Sequence, residues 1–201
     1  MPGVQRITGR AVAINRANID TDQIIPASWL KRVERTGFEA GLFGAWRSDP
    51  DFPLNRPGAA GAKILVAGDN FGCGSSREHA VWALQNFGFA AVVAPGFADI
   101  FRGNAISSGL VPAQASADAV AAVFAALEAD PDAEVTVDVA GLAVEVPAAD
   151  LKAPFELADY ARWRLMEGLD DIGLTLRHED AIAAYETGRR PWLPAQPVPQ
   201  A

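Results

Sequence analysis

The sequence predicts an α/β fold with a parallel strand–helix–strand core, followed by a hairpin and C-terminal helices. Two short segments, at residues 63–67 (KILVA, apolar from Ile64 on) and 90–94 (AAVVA), are typical of strands buried on both faces. Between them, apolar residues recur with helical spacing, and Gly88 ends that pattern. Residues 134–146 (EVTVDVAGLAVEV) instead alternate with period two around a central Ala-Gly pair, which indicates a hairpin.

Shorter patterns predict the remaining elements. Residues 8–14 (TGRAVAI) alternate weakly and predict a first strand, and Ser75 or Ser76 is expected to cap the helix of the core. The other expected elements are a short helix and loop within 28–47, a helix over 100–108, a strand over 110–112, a helix over 117–129 capped by Ser116, and helices over 154–166 and 179–187. We expect one domain over residues 1–187 and a proline-rich tail over 188–201.

The composition excludes several classes of protein. The 201 residues include 17 Lys and Arg against 25 Asp and Glu, so the formal net charge is −8. This charge argues against nonspecific binding to nucleic acid or to anionic membranes. Cys73 is the single cysteine, so the chain forms no internal disulfide and cannot by itself ligate an iron–sulfur cluster. No signal-peptide pattern and no run of about 18 apolar residues occurs, so we expect a cytoplasmic protein.

The segment 68–80 (GDNFGCGSSREHA) lies between the first buried strand and the helix of the core. In open α/β sheets, ligands bind beyond the carboxyl ends of the strands, and free N–H groups at a helix N-terminus favour an anion. Arg77 stands in the predicted first helical turn, where a cation is unfavourable, so we expect its guanidinium to grip a carboxylate. Ser75 is placed where neighbouring N–H groups and Arg77 would stabilise its alkoxide.

Common glycine-rich motifs do not account for this segment. Arg77 stands where a dinucleotide fingerprint has its third glycine, and neither a Gly-Lys-Ser/Thr sequence nor a Gly-x-Ser-x-Gly elbow is present. The residues around Cys73 lack the second cysteine and the aromatic residue of a papain-type site. Residue types and spacing alone therefore indicate an anion site with a serine and an arginine.

The same segment resembles the signature of the swivelling domain of the aconitase superfamily, G-x-x-x-G-x-G-S-S-R-E-H. Residues 18–26 (NIDTDQIIP) and 96–110 (GFADIFRGNAISSGL) are similar to two further elements of that superfamily. Residues 168–185 (GLDDIGLTLRHEDAIAAY) resemble the C-terminal element of the stand-alone small subunits of 3-isopropylmalate dehydratase. The four blocks occur in the family's order, and the resemblance as a whole extends over nearly the whole chain.

The resemblance implies a three-layer β/β/α swivelling domain that works with a separate large subunit. That subunit would hold a [4Fe–4S] cluster, one iron of which acts as a Lewis acid on the departing hydroxyl of a small dicarboxylate substrate. The implied reaction interconverts 2-isopropylmalate and 3-isopropylmalate by dehydration and rehydration in leucine biosynthesis. No cofactor or metal would be bound by this chain, and the isolated chain could form a homodimer.

The resemblance also implies roles for individual residues. Ser75 matches the family's catalytic base, Ser76 and Arg77 match residues that bind a substrate carboxylate, and Asp22 matches an aspartate near the site. Residues 28–43 (SWLKRVERTGFEAGLF) occupy the position of the loop that, in the family, recognises the substituent at the γ position of the substrate. Within that loop we expect four substrate-binding candidates, two apolar for an isopropyl group and two cationic: Leu30, Val33, Arg32 and Arg35.

Other functions stay open at this point. A related hydro-lyase acting on homoaconitate or a methylmalate-type acid would use the same fold. An autonomous nucleotide-binding module could use the glycine-rich segment, and Cys73 could serve a hydrolase. The purely structural alternative for Ser75 is a helix cap, and for Arg77 it is a surface ion pair.

Overall fold

The computed structural model describes residues 2–32 and 34–190. In that part of the chain, seven strands close into a barrel in the order β1-β2-β3-β4-β7-β6-β5. The strands are β1 (Arg6–Ile14), β2 (Ile64–Ala67), β3 (Ala91–Ala94), β4 (Val111–Ala115), β5 (Glu134–Asp138), β6 (Ala143–Val146) and β7 (Leu151–Glu156). The α-helices are α1 (Thr21–Ile24), α2 (Glu78–Phe87), α3 (Asp99–Ser108), α4 (Ala117–Ala129), α5 (Asp159–Glu167), α6 (Asp171–Leu176) and α7 (Glu179–Thr187). Short 3-10 turns occupy Ala27–Lys31, Phe38–Gly41, Pro53–Asn55 and Pro147–Ala149.

Strands β1 to β4 are parallel neighbours, and β5, β6 and β7 close the barrel through antiparallel pairs. The register pairs Ala13 with Val66, and Val66 in turn with Val93. Parallel strands send their carboxyl ends to one edge of the sheet. The segments that follow β1, β2 and β3 therefore emerge side by side, and this edge carries the candidate site.

The apolar residues of the parallel strands alternate between two cores. Leu65 and Ala67 of β2 face one core together with residues of α2 and α3, whereas Ile64 and Val66 face the interior of the barrel. Val120, Val123 and Leu127 of α4 are buried with this interior set. Because both faces of the strands are covered, the continuous apolar runs of the sequence follow from burial on two sides.

The structure confirms the predicted α/β class, its parallel core and its hairpin. Helix α4 begins after Ser116, whose side chain accepts a hydrogen bond from the Ala119 N–H at 3.2 Å, as predicted. Most of the other predicted elements differ by a few residues at their ends. The proposed division into a domain over 1–187 and a tail over 188–201 stays a prediction, and residues 191–201 of that tail lie outside the described residues.

One predicted helix cap and part of one predicted helix were wrong. Helix α2 begins at Glu78, after an extended Arg77 with φ −139° and ψ 101°, so neither Ser75 nor Ser76 caps it. Arg77 is therefore the residue before the helix and not part of its first turn. The predicted helix over 154–166 is a strand up to Glu156 and a helix only from Asp159. The strand was missed because β6 supplies its ladder partners, for example Val144 opposite Ala153, and these cannot be read locally.

No helix in the described residues is long and apolar enough to span a lipid bilayer.

Candidate active site

The glycine-rich loop 68–77, which follows β2, pairs with the segment that follows β1. The Asn18 N–H donates to the Asp69 carbonyl oxygen at 2.8 Å, and the Gly72 N–H donates to the Ile19 carbonyl oxygen at 2.8 Å. The Thr21 N–H then donates to the Cys73 carbonyl oxygen at 2.9 Å. Two of the four sequence blocks that resemble the family are thus joined by backbone hydrogen bonds at the carboxyl edge of the sheet.

The segment after β3 holds the same loop from the other side. The Phe71 N–H donates to the Gly96 carbonyl oxygen at 2.9 Å, and the Ala98 N–H donates to the Phe71 carbonyl oxygen at 3.0 Å. Gly72 has φ +75° and lies directly against the Phe101 side chain of α3. This close approach brings a third block, residues 96–110, into the same structure.

Ser75 and Ser76 are exposed at the end of this loop, just before α2. The side chain of Arg77, the residue just before α2, forms no capping hydrogen bond to the first N–H groups of the helix. Unpaired N–H groups and the positive end of the helix dipole favour a negative charge at this position. The structure therefore places Ser75 and Ser76 where an alkoxide or a carboxylate would be stabilised.

Arg77 and Asp22 form an ion pair across 55 positions of sequence. The Arg77 side chain is 13% exposed and the Asp22 side chain 55% exposed. One Arg77 nitrogen also donates weakly to the Ile25 carbonyl oxygen, at 3.5 Å. A guanidinium has five N–H donors, so these contacts fix its orientation and leave other donors for a carboxylate.

Four rings next to the loop form an aromatic cluster made of Trp29, Phe38, His79 and Trp82. The guanidinium carbon of Arg32 lies 5.0 Å from the centre of the Trp29 ring, and that of Arg35 lies 5.1 Å from the centre of the Trp82 ring. Such distances are those of cation–π contacts.

The aromatic cluster thus brings both candidate arginines of the 28–43 loop to the N-terminal half of α2. Arg32 also donates to the Gly37 carbonyl oxygen at 3.2 Å. Leu30 is half-buried, and Val33 lies outside the described residues.

Cys73 is a poor candidate for a nucleophile. Burial raises the pKa of its thiol, and the nearby negative charge of Asp20 raises it further. A thiol with a raised pKa holds little thiolate near neutral pH, and the thiolate is the reactive form. This environment argues against the hydrolase hypothesis based on Cys73.

The described residues do not fit an iron–sulfur cluster. No group of three or more His, Cys, Asp or Glu side chains in residues 2–32 and 34–190 could hold a metal ion. Cys73 is also the single cysteine of the chain, whereas such clusters are usually held by several thiolates.

Sequence reasoning missed Thr21, which lies between Asp20 and Asp22. Its side chain is buried, with 2% of the residue exposed, and its hydroxyl donates to the Ser75 carbonyl oxygen at 2.8 Å. Asp20 caps α1 by accepting from the Gln23 N–H at 2.7 Å. A Ser/Thr/Asp-type cap followed by Gln three residues later is a signal that could have located the start of α1.

Comparisons with known proteins agree with this geometry. The family model of the aconitase C-terminal domain matches residues 1–118, and that of the C-terminal domain of the 3-isopropylmalate dehydratase small subunit matches residues 171–196. The chain is 63% identical to the 3-isopropylmalate dehydratase small subunit of Frankia casuarinae over 93% of this chain and 95% of that protein. It is 61% identical to the small subunit of Thermobifida fusca over 93% and 95% of the two chains. The crystal structure of 3-isopropylmalate dehydratase from Methanocaldococcus jannaschii is similar with a TM-score of 0.70 and 27% identity, covering 90% of this chain and 99% of that one.

Proposed function

Because the chain belongs to the family of 3-isopropylmalate dehydratase small subunits, we propose that loop 68–77 supplies the base and the carboxylate-binding groups of the reaction. The enzyme is a hydro-lyase of leucine biosynthesis, and this chain works with a large subunit. The observation that carries the proposal is the exposed Ser75 just before the uncapped N-terminus of α2, two positions from Arg77, whose guanidinium pairs with Asp22. We place the [4Fe–4S] cluster, which handles the leaving hydroxyl, on the large subunit because this chain has a single thiol.

Ser75 is the proposed base. In the dehydration direction, its oxygen takes the proton from the carbon next to the one that bears the hydroxyl. The electron pair of that C–H bond forms the double bond of isopropylmaleate, and in the rehydration direction Ser75 returns the proton. A serine hydroxyl is a weak base, so the reaction needs the N–H groups before α2 and the Arg77 charge to stabilise the alkoxide.

Ser76 and Arg77 are the proposed groups for a substrate carboxylate. Asp22 orients Arg77 by pairing with one of its nitrogens, and the remaining N–H donors can form two parallel hydrogen bonds to a carboxylate. Asp22 is more than half exposed, so it lies at the mouth of the site and not beneath it. In this arrangement the aspartate fixes the direction in which the guanidinium reaches.

The 28–43 loop is proposed to contact the isopropyl group of the substrate and so to determine specificity. Leu30 is half-buried and follows Trp29 of the aromatic cluster in the chain, so it is proposed as an apolar contact, and Val33 is proposed with it from the sequence alone. Arg32 and Arg35 lie over rings of that cluster, so either guanidinium can approach substrate from there. A panel of 2-hydroxy diacids tests this choice: a clear preference for isopropylmalate supports it, and faster turnover of homoaconitate or of a methylmalate-type acid contradicts it.

The decisive experiment replaces Ser75 by alanine in enzyme reconstituted with an excess of cluster-loaded large subunit. Loss of the base should lower kcat by about 10²–10⁴-fold, with the binding of the large subunit unchanged. Ser48→Ala is the matched control, because Ser48 is also an exposed serine but lies outside the loop. Activity of Ser75→Ala close to that of the control would exclude Ser75 as the base.

Asp22→Asn tests the orientation of Arg77. The pair is partly exposed, so its loss should cost at most about 1 kcal/mol of stability in urea unfolding. Turnover of the reconstituted enzyme should nevertheless fall clearly, because the guanidinium loses its fixed direction. Unchanged kcat and KM would show that Asp22 has no such role.

The quaternary structure and location are also part of the proposal. We infer a heterodimer as the active species, a homodimer as a possible state of the isolated chain, and the cytoplasm as the compartment. Light scattering on the chain alone and mixed with the large subunit distinguishes these states. The lone cysteine supports a reducing compartment, since the chain needs no disulfide.

A further inference from the structure

One buried threonine holds the loop that carries Ser75. Thr21 uses its N–H to bind the Cys73 carbonyl oxygen at 2.9 Å, and its hydroxyl to bind the Ser75 carbonyl oxygen at 2.8 Å. Two alternate carbonyl groups of the loop therefore point at the same residue. Thr21 is itself fixed, because Asp20 and Gln23 cap α1 reciprocally around it, with hydrogen bonds of 2.7 and 2.9 Å.

Peptide geometry converts these two contacts into a direction for two N–H groups. In a planar trans peptide the C=O and the following N–H point in opposite directions. The carbonyls of Cys73 and Ser75 face Thr21, so the N–H groups of Gly74 and Ser76 point away from it. Within the described part of the chain, these two N–H groups donate to no protein acceptor.

The conformation of Gly74 allows this alignment. Its φ is +87°, and a Cβ on it would lie 3.4 Å from the Asp20 Cβ. A left-handed residue between two others lets alternate N–H groups converge on one side of the backbone, an arrangement that binds anions. Gly74, Ser75 and Ser76 are all exposed, so a ligand can reach this side.

We infer that Thr21 is a positioning residue for the reaction: its backbone N–H and its hydroxyl aim the Gly74 N–H and the Ser76 N–H, respectively, at the negative charge that forms beside Ser75. The inference rests on the proposed function of the loop. Thr21 touches neither substrate nor the Ser75 hydroxyl and acts through the Ser75 carbonyl. Without the hydroxyl, the Ser75–Ser76 peptide loses the contact that sets its plane, and the Ser76 N–H loses its direction.

The test compares Thr21→Val, which removes the donor at nearly constant shape, with Thr21→Ser, which keeps it. Both are assayed with saturating cluster-loaded large subunit. Loss of one well-aimed donor at a developing anion costs about 10²–10³-fold in rate when the donor is removed outright. Because the Ser76 N–H is misdirected and not removed, we expect kcat for Thr21→Val to fall by about 10–100-fold. Thr21→Ser should stay within about threefold of the parent, since the hydroxyl is retained.

Thr136→Val is the matched control. Thr136 is also buried, with 4% of the residue exposed, and its hydroxyl forms one hydrogen bond, at 2.9 Å, to the Thr8 hydroxyl in the barrel. Both valine variants should lower the urea midpoint, but only Thr21→Val should lower kcat. Thr21→Val should also move the acidic limb of the pH–kcat profile to higher pH, because a less stabilised alkoxide has a higher pKa.

The outcomes separate this inference from the base assignment. If Ser75→Ala is inactive while Thr21→Val keeps parental kcat and pH profile, Thr21 is only structural and the inference is overturned. An equal loss of kcat in Thr21→Val and Thr21→Ser would overturn it too, since the hydroxyl would not matter. If Ser75→Ala stays active while Thr21→Val loses kcat and Thr21→Ser recovers it, the base assignment fails and the positioning role stands.

Discussion

Replacing Gly72 by alanine tests whether the second glycine of the signature exists because of the Phe101 ring. A Cβ at residue 72 would lie 2.5 Å from the Phe101 Cβ and closer still to the first ring carbon. Phe101 is 2% exposed and packs edge-on against Phe71 with ring centres 5.1 Å apart, so it has little room to move. The residue also has φ +75°, which costs an L-amino acid about 1–2 kcal/mol.

Overpacking of a core adds about 1–3 kcal/mol, so we expect Gly72→Ala to destabilise the chain by about 2–5 kcal/mol in all. Gly61→Ala is the matched control: its φ is +88° and a Cβ there meets nothing within 4 Å. It should cost only the backbone part, about 1–2 kcal/mol. For a chain of this size each kcal/mol lowers Tm by about 2–4 °C.

Urea unfolding of the isolated chain, followed by circular dichroism, measures the free energy of unfolding of both variants. The slope of that free energy against urea concentration should not change. Adding Phe101→Ala removes the ring carbons, including the one nearest to the added Cβ, so the double variant should lose less stability than the sum of its two single variants. If Gly72→Ala is no less stable than Gly61→Ala, or if the double variant is strictly additive, the ring is not the reason for the glycine.

Three further predictions concern a thiol, a carboxylate and a helix. The Cys73 thiol should react slowly with iodoacetamide near pH 8, because burial and the charge of Asp20 raise its pKa. Asp20→Asn should speed the reaction by lowering that pKa. An equal or slower rate in the variant would contradict the charge effect. The pKa of the Glu145 carboxyl should lie below its ordinary value, because Lys152 stabilises the charged form. The resulting stabilisation of the fold is present above the ordinary pKa and is lost as the pH falls through the lowered pKa of the folded state. An NMR titration should show that this pKa rises in Lys152→Met. Gly103→Ala should stabilise α3 by about 0.5–1 kcal/mol in urea unfolding, since the glycine is helical and its Cβ meets nothing, and a loss of stability there would refute this expectation.

The start of α2 shows where sequence patterns stop being informative. Ser75 and Ser76 are good capping residues and precede an apolar periodic segment, so the local pattern favours a cap there. In the fold, the Ser75 carbonyl is bound by Thr21, 54 positions earlier, and Arg77 is held extended by Asp22. Long-range contacts therefore override the cap and leave both serines exposed.

The sequence by itself determined the parallel core, the hairpin, the family, and the candidacy of Ser75, Ser76, Arg77 and Asp22. These follow from hydrophobic period and from motif residues, both of which are local in the chain. Only the tertiary structure decided that Asp22 pairs with Arg77, that Gly72 lies against Phe101, and that Thr21 binds two carbonyl oxygens of the 68–77 loop. The physical reason is that parallel strands gather their carboxyl ends at one edge, so residues about 50 positions apart become hydrogen-bond partners there. Periodicity indicates which residues are buried, but not which distant residue each one contacts.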